Sequence, residues 1–166
     1  MTLYHGSFLT IESPNVTIGR TRVDFGKGFY LTVYKEQAAD WSRVVMRKHP
    51  RGVPTLNEYE FDGEKAKLMA GARYKVFEAY DLEWLDYVVD CRNGGTLQSQ
   101  YDVVEGGVAN DNVIDTVELY ENGYITAEQA IGQLAYKRIN HQIAILNQRI
   151  VDECLRFVSS EEVPNA

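Results

Sequence analysis

The sequence contains few of the residues that would place it in a specialised class of protein. Only two cysteines occur among its 166 residues, and Cys91 and Cys154 form no metal-binding or redox pattern. No apolar run reaches the roughly 20 residues that a membrane span needs. Residues 1–8 lack a basic segment and an apolar segment, so no signal peptide is expected. The simplest expected compartment is the cytoplasm, with both thiols reduced.

Positive charge is also scarce. The chain has 17 Lys and Arg against 24 Asp and Glu, which gives a net charge of −7. A protein that grips a nucleic-acid backbone usually has a basic face, so nonspecific nucleic-acid binding is disfavoured. The basic stretches are short, at 20–22 and 43–51, and the second is typical of the solvated face of a helix. A small anionic ligand held by backbone amides is compatible with this charge.

The apolar pattern predicts one α+β domain over residues 1–166. The composition, 45% apolar and 25% charged, is ordinary for a globular protein. The expected strands are 2–5, 28–32, 53–62, 74–80, 101–111 (broken at 106–107) and 142–146. The expected helices are 35–48, 82–92, 113–123 and 126–138. Strands and helices alternate irregularly, which favours α+β over a doubly wound α/β fold.

Several local signals refine this pattern. Asp81 is expected to cap the helix that follows it, and Thr126 with Gln129 predicts a capping box. In the helix 35–48, i, i+3, i+4 spacing predicts a buried stripe. That stripe consists of Ala38, Trp41, Val44, Val45 and Lys48. Residues 151–158 are ambiguous and fit a helical turn followed by a last strand, and the acidic tail 159–166 is expected to be frayed.

Two glycine-containing loops, "LYHGS" at 3–7 and "FGKGFY" at 25–30, raise the question of a ligand. They match neither the phosphate-binding P-loop nor the G-x-G-x-x-G fingerprint. A glycine such as Gly28 still lets a ligand approach the backbone closely. His5, Gly6 and Ser7 offer an imidazole, a bare backbone and a hydroxyl within three residues. A flat heteroaromatic carboxamide stacked between two aromatic rings would suit this set, although each loop could also be a simple turn.

Both loops resemble the signature stretches of the ADP-ribosyltransferase superfamily, in its diphtheria-toxin and poly(ADP-ribose) polymerase branch. The match is ungapped from Phe25 to Trp41. It implies an ADP-ribosyltransferase-like core of two small β-sheets packed together, with flanking and inserted helices, NAD as co-substrate and no metal. "DFGKGFYLT", a later "VAND" and "QI" on a late strand are similar to a bacterial family of small stand-alone members. Those members are often suspected toxins of toxin–antitoxin pairs.

The resemblance implies a role for each matching residue in the NAD site. His5 would bind the adenosine-side ribose, Gly6 would hold the nicotinamide carboxamide, and Ser7 would support that loop. Tyr30 would stack under the nicotinamide ring and Trp41 would cover its other face.

Two further assignments keep an alternative, and a third residue is expected to be structural. Arg20 or Arg22 would meet the pyrophosphate, or both belong to a mobile surface loop. Asn110 would line the cleft with Asp111, or this pair precedes a helix that Asp111 caps. His141 is expected to face away from the site and to have a structural role.

Two positions depart from the family pattern. Ala38 replaces a serine that would contact the carboxamide. Gln142 replaces the catalytic glutamate on the late strand, so the triad is His5, Tyr30 and Gln142. An amide keeps a hydrogen-bond acceptor and loses the charge, which argues against poly-ADP-ribosylation.

The predicted function is therefore NAD-dependent mono-ADP-ribosylation of a macromolecule, with a protein acceptor slightly favoured over nucleic acid. A small antitoxin protein is an implied partner. The alternatives are a non-catalytic module that binds NAD or ADP-ribose, and an NAD glycohydrolase. An RNA 2′-phosphotransferase ranks lower because the basic residues are few.

Overall fold

A computed structural model describes residues 1–137 and 140–165. The described strands are β1 (Thr2–Ser7), β2 (Phe29–Leu31), β3 (Thr55–Phe61), β4 (Tyr74–Val76), β5 (Val103–Gly106), β6 (Gln142–Ile145) and β7 (Leu155–Glu162). The described α-helices are α1 (Lys35–Met46), α2 (Gly63–Leu68), α3 (Leu82–Arg92), α4 (Asp111–Glu121), α5 (Ala127–Leu134) and α6 (Gln148–Cys154). None of the described helices is long and apolar enough to cross a membrane. The expected α+β class is confirmed.

The strands form two small sheets. The first has the order β1-β3-β7 and is antiparallel throughout. The second has the order β2-β6-β5-β4, and only its β4–β5 pair is parallel. An antiparallel pair can leave one face to a neighbouring layer, which suits two sheets that pack against each other.

Three apolar clusters arrange these elements in layers. Leu3 and Tyr59 of the first sheet pack with Ile143 and Ile145 of the second, between the two sheets. Behind the second sheet, α3, α4 and α5 cover β5 and β6. On the far side of the first sheet, α1 packs on β1 and β3. The order of layers is therefore helix, sheet, sheet, helices.

The two sheets meet at one backbone bridge. The Tyr4 N–H donates to the Thr32 carbonyl at 2.8 Å, and the Thr32 N–H donates to the Tyr4 carbonyl at 3.0 Å. Beyond that bridge β1 continues along β3, and β2 continues along β6. We call this divergence the β1–β2 split. Gly6 follows Tyr4 by two residues, so its N–H and C=O point to the same edge of β1 as those of Tyr4, towards the split.

The buried face of α1 differs from the predicted one. Ala38, Ala39 and Ser42 are buried, whereas the Trp41 and Val44 side chains are 44% and 40% exposed. A Cβ atom on Gly6 would lie 2.0 Å from the Ala38 carbonyl oxygen, so helix and strand are nearly in backbone contact. Small side chains on α1 permit that approach, and the larger apolar ones turn outward.

Two other expectations about the chain are wrong. The segment expected as a strand over 74–80 is extended only at Tyr74–Val76, because Phe77 and Tyr80 turn into the core beside α3. The tail is not frayed. Its residues 159–162 form the second half of β7 along β3, and the Val163 N–H donates to the Pro54 carbonyl at 2.7 Å.

The expected helix boundaries hold in several places. The Asp81 side chain accepts from the Trp84 N–H, and the Thr126–Gln129 capping box is present. In the stretch 151–158 the expected helical turn and following strand are confirmed as the end of α6 and the start of β7. The helix expected to run to residue 138 ends at Leu134. The cap expected from the Asp111 side chain, residue 138 itself and the last tail residue, Ala166, lie outside what the structure describes.

Candidate functional site at the β1–β2 split

His5 lies at the β1–β2 split, one residue beyond the backbone bridge. Its Nδ1 is 2.6 Å from the Tyr30 carbonyl oxygen of β2. Its ring stacks on Phe29, with 4.3 Å between ring centroids. The imidazole therefore joins the two strands where their ladder has stopped.

This contact fixes the tautomer of His5. A carbonyl oxygen only accepts hydrogen bonds, so Nδ1 carries the proton and donates it. Desolvation by burial lowers the pKa of His5, while the bond to the Tyr30 carbonyl acts in the opposite direction. The neutral ring then presents Nε2 as a hydrogen-bond acceptor.

Tyr30 has a structural task besides any ligand contact. Its hydroxyl donates to the Gly26 carbonyl at 2.6 Å and accepts from the Phe25 N–H at 3.0 Å. Burial raises the pKa of Tyr30 well above its ordinary value. The ring thus remains neutral and ties β2 to the loop that precedes it.

Gln142 lies on the same face of the second sheet as Tyr30. Tyr30 is opposite Ala144 in the β2–β6 register, and Gln142 precedes Ala144 by two residues. Diagonal neighbours of this kind are about 7–8 Å apart. The side chain of Gln142 is buried, and its Nε2 donates to Asp24 Oδ2 at 3.3 Å and to the Gly107 carbonyl at 3.4 Å.

Asp24 is the residue that the sequence analysis missed. It is 8% exposed. Its Oδ2 also accepts from the Ala109 N–H at 2.8 Å, and its Oδ1 accepts from Arg92 at 3.0 Å. One carboxylate thus joins the glycine loop, the β5–α4 connection, α3 and Gln142. Its position directly before "FGKG" was the only local signal, because its partners are distant in sequence.

At three glycines, the space that a side chain would need is filled by other parts of the protein. At Gly6 the space is occupied by α1, as described above. A Cβ atom on Gly28 would lie 2.5 Å from the Ile145 carbonyl oxygen, and one on Gly19 would lie 2.5 Å from the Gly28 carbonyl oxygen. Ser7, at the end of β1, is buried. The close approach expected at Gly28 therefore exists, and its partner is the backbone of the chain itself.

Trp41 and Arg20 form a second local group on the outer side of α1. The Arg20 guanidinium carbon is 5.5 Å from the centroid of the Trp41 ring, within the range of a cation–π contact. Both side chains are exposed. Arg20, which lies in a loop, therefore contacts Trp41 of α1.

Asn110 stands at the start of α4. Its carbonyl accepts from the Val113 and Ile114 N–H groups, and the preceding residue, Ala109, contacts Asp24. The structure therefore brings predicted residues together in two pairs, His5 with Tyr30 and Trp41 with Arg20. Gln142 instead contacts Asp24, which was not predicted, beside Ala109.

His141 has the structural role that strand alternation predicted. The Val33 N–H donates to its Nδ1 at 3.2 Å, and its Nε2 donates to Glu105 Oε1 at 2.9 Å. This contact, the largest influence on that carboxyl group, lowers the pKa of Glu105. His141 and His5 therefore have opposite tautomers.

Two surface pockets are lined by residues outside these groups. One, of about 280 Å³, is bordered by Arg73, Asp102 and Arg149. The other, of about 400 Å³, lies between Phe8 and His49 at the end of α1. No group of three or more His, Cys, Asp or Glu side chains arranged for a metal ion occurs within the described residues.

Comparison with known proteins gives a family without an assigned activity. A search of curated proteins and a search of solved structures each found no match. A family model described as "Protein of unknown function (DUF3990)" matches residues 1–157, which is nearly the whole chain. The protein belongs to this family, DUF3990.

Proposed function

We propose that the protein binds NAD at the β1–β2 split and transfers its ADP-ribose to one macromolecular acceptor. The observation that carries the proposal is His5, whose Nδ1 is engaged by the Tyr30 carbonyl at 2.6 Å. Its Nε2 is then an oriented acceptor for a ribose hydroxyl. The resemblance of both loops to ADP-ribosyltransferases agrees with the divergence of two sheets beside His5. An ADP-ribosyltransferase-like split core is part of this proposal.

The reaction would break the bond between the nicotinamide nitrogen and C1′ of its ribose. The electron pair of that bond leaves with nicotinamide, and positive charge builds up on the ribose. A nucleophile on the acceptor then bonds to C1′ and releases its proton to solvent. Gly6 would bind the carboxamide through its backbone at the split, and Tyr30 would support the ring. No redox step and no metal are needed.

Gln142 and Asp24 would together stabilise the positive charge that builds up on the ribose. Because both Nε2 contacts of Gln142 are to oxygen atoms of Asp24 and Gly107, its Oε1 remains as the acceptor that can orient the nucleophile. Asp24 supplies a negative charge 3.3 Å from that amide. A preorganised group of this kind can be worth about 3–4 kcal/mol in the transition state.

A binding module without transfer activity is the second candidate, and one observation favours it. The Asp24 carboxylate is paired with Arg92 at 3.0 Å, which offsets its charge. The Tyr30 hydroxyl is also committed to the loop. A protein with this site could bind NAD or ADP-ribose and leave its glycosidic bond intact, or cleave it slowly with water as the acceptor.

Incubation with NAD, followed by mass spectrometry of free nicotinamide, tests the transferase proposal. The wild-type protein with a cell extract should release nicotinamide and label one class of macromolecule, and His5→Ala should abolish both. Release without label would indicate the glycohydrolase. No release with intact NAD binding would indicate the binding module, and no binding would contradict the proposal.

The toxin role is a separate part of the proposal. Expression of the wild-type chain in a bacterial host should slow growth, and His5→Ala should relieve the effect. His141→Ala is a suitable control for misfolding, because His141 makes structural contacts on the Glu105 side of β6. Equal growth with the wild type and His5→Ala would remove the support for a toxin that depends on this site.

A further inference from the structure

We propose that the surface at the C-terminal end of α1 binds single-stranded nucleic acid. We call this the α1-end surface, and it consists of Phe8, Leu9, Arg47, Lys48, His49 and Arg51. The proposal rests on an aromatic stack, a group of cations and an open groove that occur together. It rests on the proposed function only in that the bound strand would be the acceptor.

The groove is formed by two segments that follow regular elements. Phe8 and Leu9 come directly after β1, and residues 48–52 come after α1. The Val53 N–H donates to the Phe8 carbonyl at 3.0 Å, which holds the two segments together. The volume of about 400 Å³ lies within the range of small-ligand sites.

An aromatic platform borders this groove. The rings of Phe8 and His49 are stacked with 3.8 Å between centroids and 10° between planes. His49 is exposed, and Leu9 beside it is 44% exposed. Bases stack on such rings irrespective of sequence, because every base has a π-face.

Within the part of the chain that the structure describes, no ion pair engages a cation of the α1-end surface. Ion pairs within the described residues engage the following Lys and Arg side chains: Lys35, Arg43, Lys67, Arg73, Lys75, Arg92 and Arg149. Arg47, Lys48 and Arg51 are exposed and take part in none of these pairs. A concentration of uncompensated positive charge in a chain of net charge −7 is complementary to a polyphosphate backbone.

The combination favours nucleic acid over an acidic peptide. An acidic peptide would satisfy the three cations but would leave the planar His49 face without a planar partner. A single strand supplies phosphates for the cations and a base for the ring. Phe8 directly follows Ser7 in the chain, so a bound strand would lie beside the β1–β2 split, where the proposed transfer takes place.

The test is direct binding without NAD. Fluorescein-labelled single strands of about 12 nucleotides, one of DNA and one of RNA, are titrated with the protein and followed by anisotropy at several salt concentrations. Lys48→Ala/Arg51→Ala should weaken binding about tenfold or more and lower the salt slope by about two. Lys65→Ala/Arg156→Ala removes the same charge from other exposed positions and should change the affinity by less than about twofold.

The outcomes separate this inference from the proposed function. Binding that is lost in Lys48→Ala/Arg51→Ala and retained in His5→Ala supports the α1-end surface, even if NAD does not bind. Preference for the RNA probe would indicate that the 2′-hydroxyl is recognised, and equal binding or preference for the DNA probe would indicate that it is not required. No binding at low salt, equal losses in both double variants, or binding only of an acidic peptide probe would overturn the inference.

Discussion

The pairing of Asp24 with Gln142 makes a quantitative prediction about restoring a glutamate. Gln142→Glu replaces an amide donor by a carboxylate 3.3 Å from Asp24 Oδ2. At an effective dielectric constant of about 20, two such charges repel by about 5 kcal/mol. The new group can escape by taking up a proton, which costs about 4 kcal/mol at pH 7 for an ordinary glutamate. The variant should therefore be about 4 kcal/mol less stable than the wild type at pH 7.

The sign of the pH dependence follows from the same argument. The pKa of the new carboxyl group is raised in the folded state, so the folded protein binds more protons than the unfolded chain. The penalty should fall as pH falls, to about 1 kcal/mol at pH 5. Urea unfolding followed by tryptophan fluorescence measures both values, since Trp84 is fully buried.

A compensating variant tests the pair itself. Asp24→Asn/Gln142→Glu exchanges the amide and the carboxylate and keeps the hydrogen bond between them. The loss of unfolding free energy in this double variant should be smaller than the sum of the losses in the two single variants, by about 2 kcal/mol or more. Two results would contradict this reasoning: Gln142→Glu is as stable as the wild type at pH 7, or its effect and that of Asp24→Asn simply add. Either would mean that the contact between Asp24 and Gln142 does not determine the stability of variants at residue 142.

Other predictions concern packing and charge. Gly6→Ala should lower the free energy of unfolding by about 3 kcal/mol because of its contact with α1. Gly132→Ala has open space around its Cβ position and should raise the free energy of unfolding by about 0.5–1 kcal/mol. Urea unfolding of both variants measures the contrast. Val163→Ala should cost about 1–2 kcal/mol, and no loss would mean that the tail does not pack. Glu105 has a lowered pKa beside His141, so its contribution to stability is present above its unfolded pKa and is lost as pH falls through the folded value. Glu105→Gln should flatten the acid side of the stability profile, and an unchanged profile would contradict this contact.

The sequence predicted those features whose causes are local. The caps at Asp81 and Thr126 depend on atoms three residues away, and both are present. Strand β2 and residues 143–145 of β6 are continuously apolar because the sheet is covered on both faces. Their pairing brings Tyr30 and Gln142 to one face, as a shared site requires.

The features that depend on distant partners were missed. The tail looked frayed because its charges suit solvent, but the outer edge of β3 supplies the hydrogen bonds that order it. The predicted stripe on α1 joined Ala38 to Trp41 and Val44, but only Ala38 of these is buried, because the close approach of Gly6 selects small side chains. Asp24 gave no local sign of its role, since Arg92 and Gln142 come to it from other elements.

The most direct test of the proposed site is ¹⁵N NMR of the histidine rings during an NAD titration. Among the described residues, His5 should show the Nδ1–H tautomer and His141 the Nε2–H tautomer, and His5→Ala identifies the first set of signals. On addition of NAD, the Nε2 signal of His5 should move, while those of His49 and His141 remain. NAD binding that leaves His5 unchanged, or no binding at all, would contradict the assignment of the β1–β2 split as the NAD site.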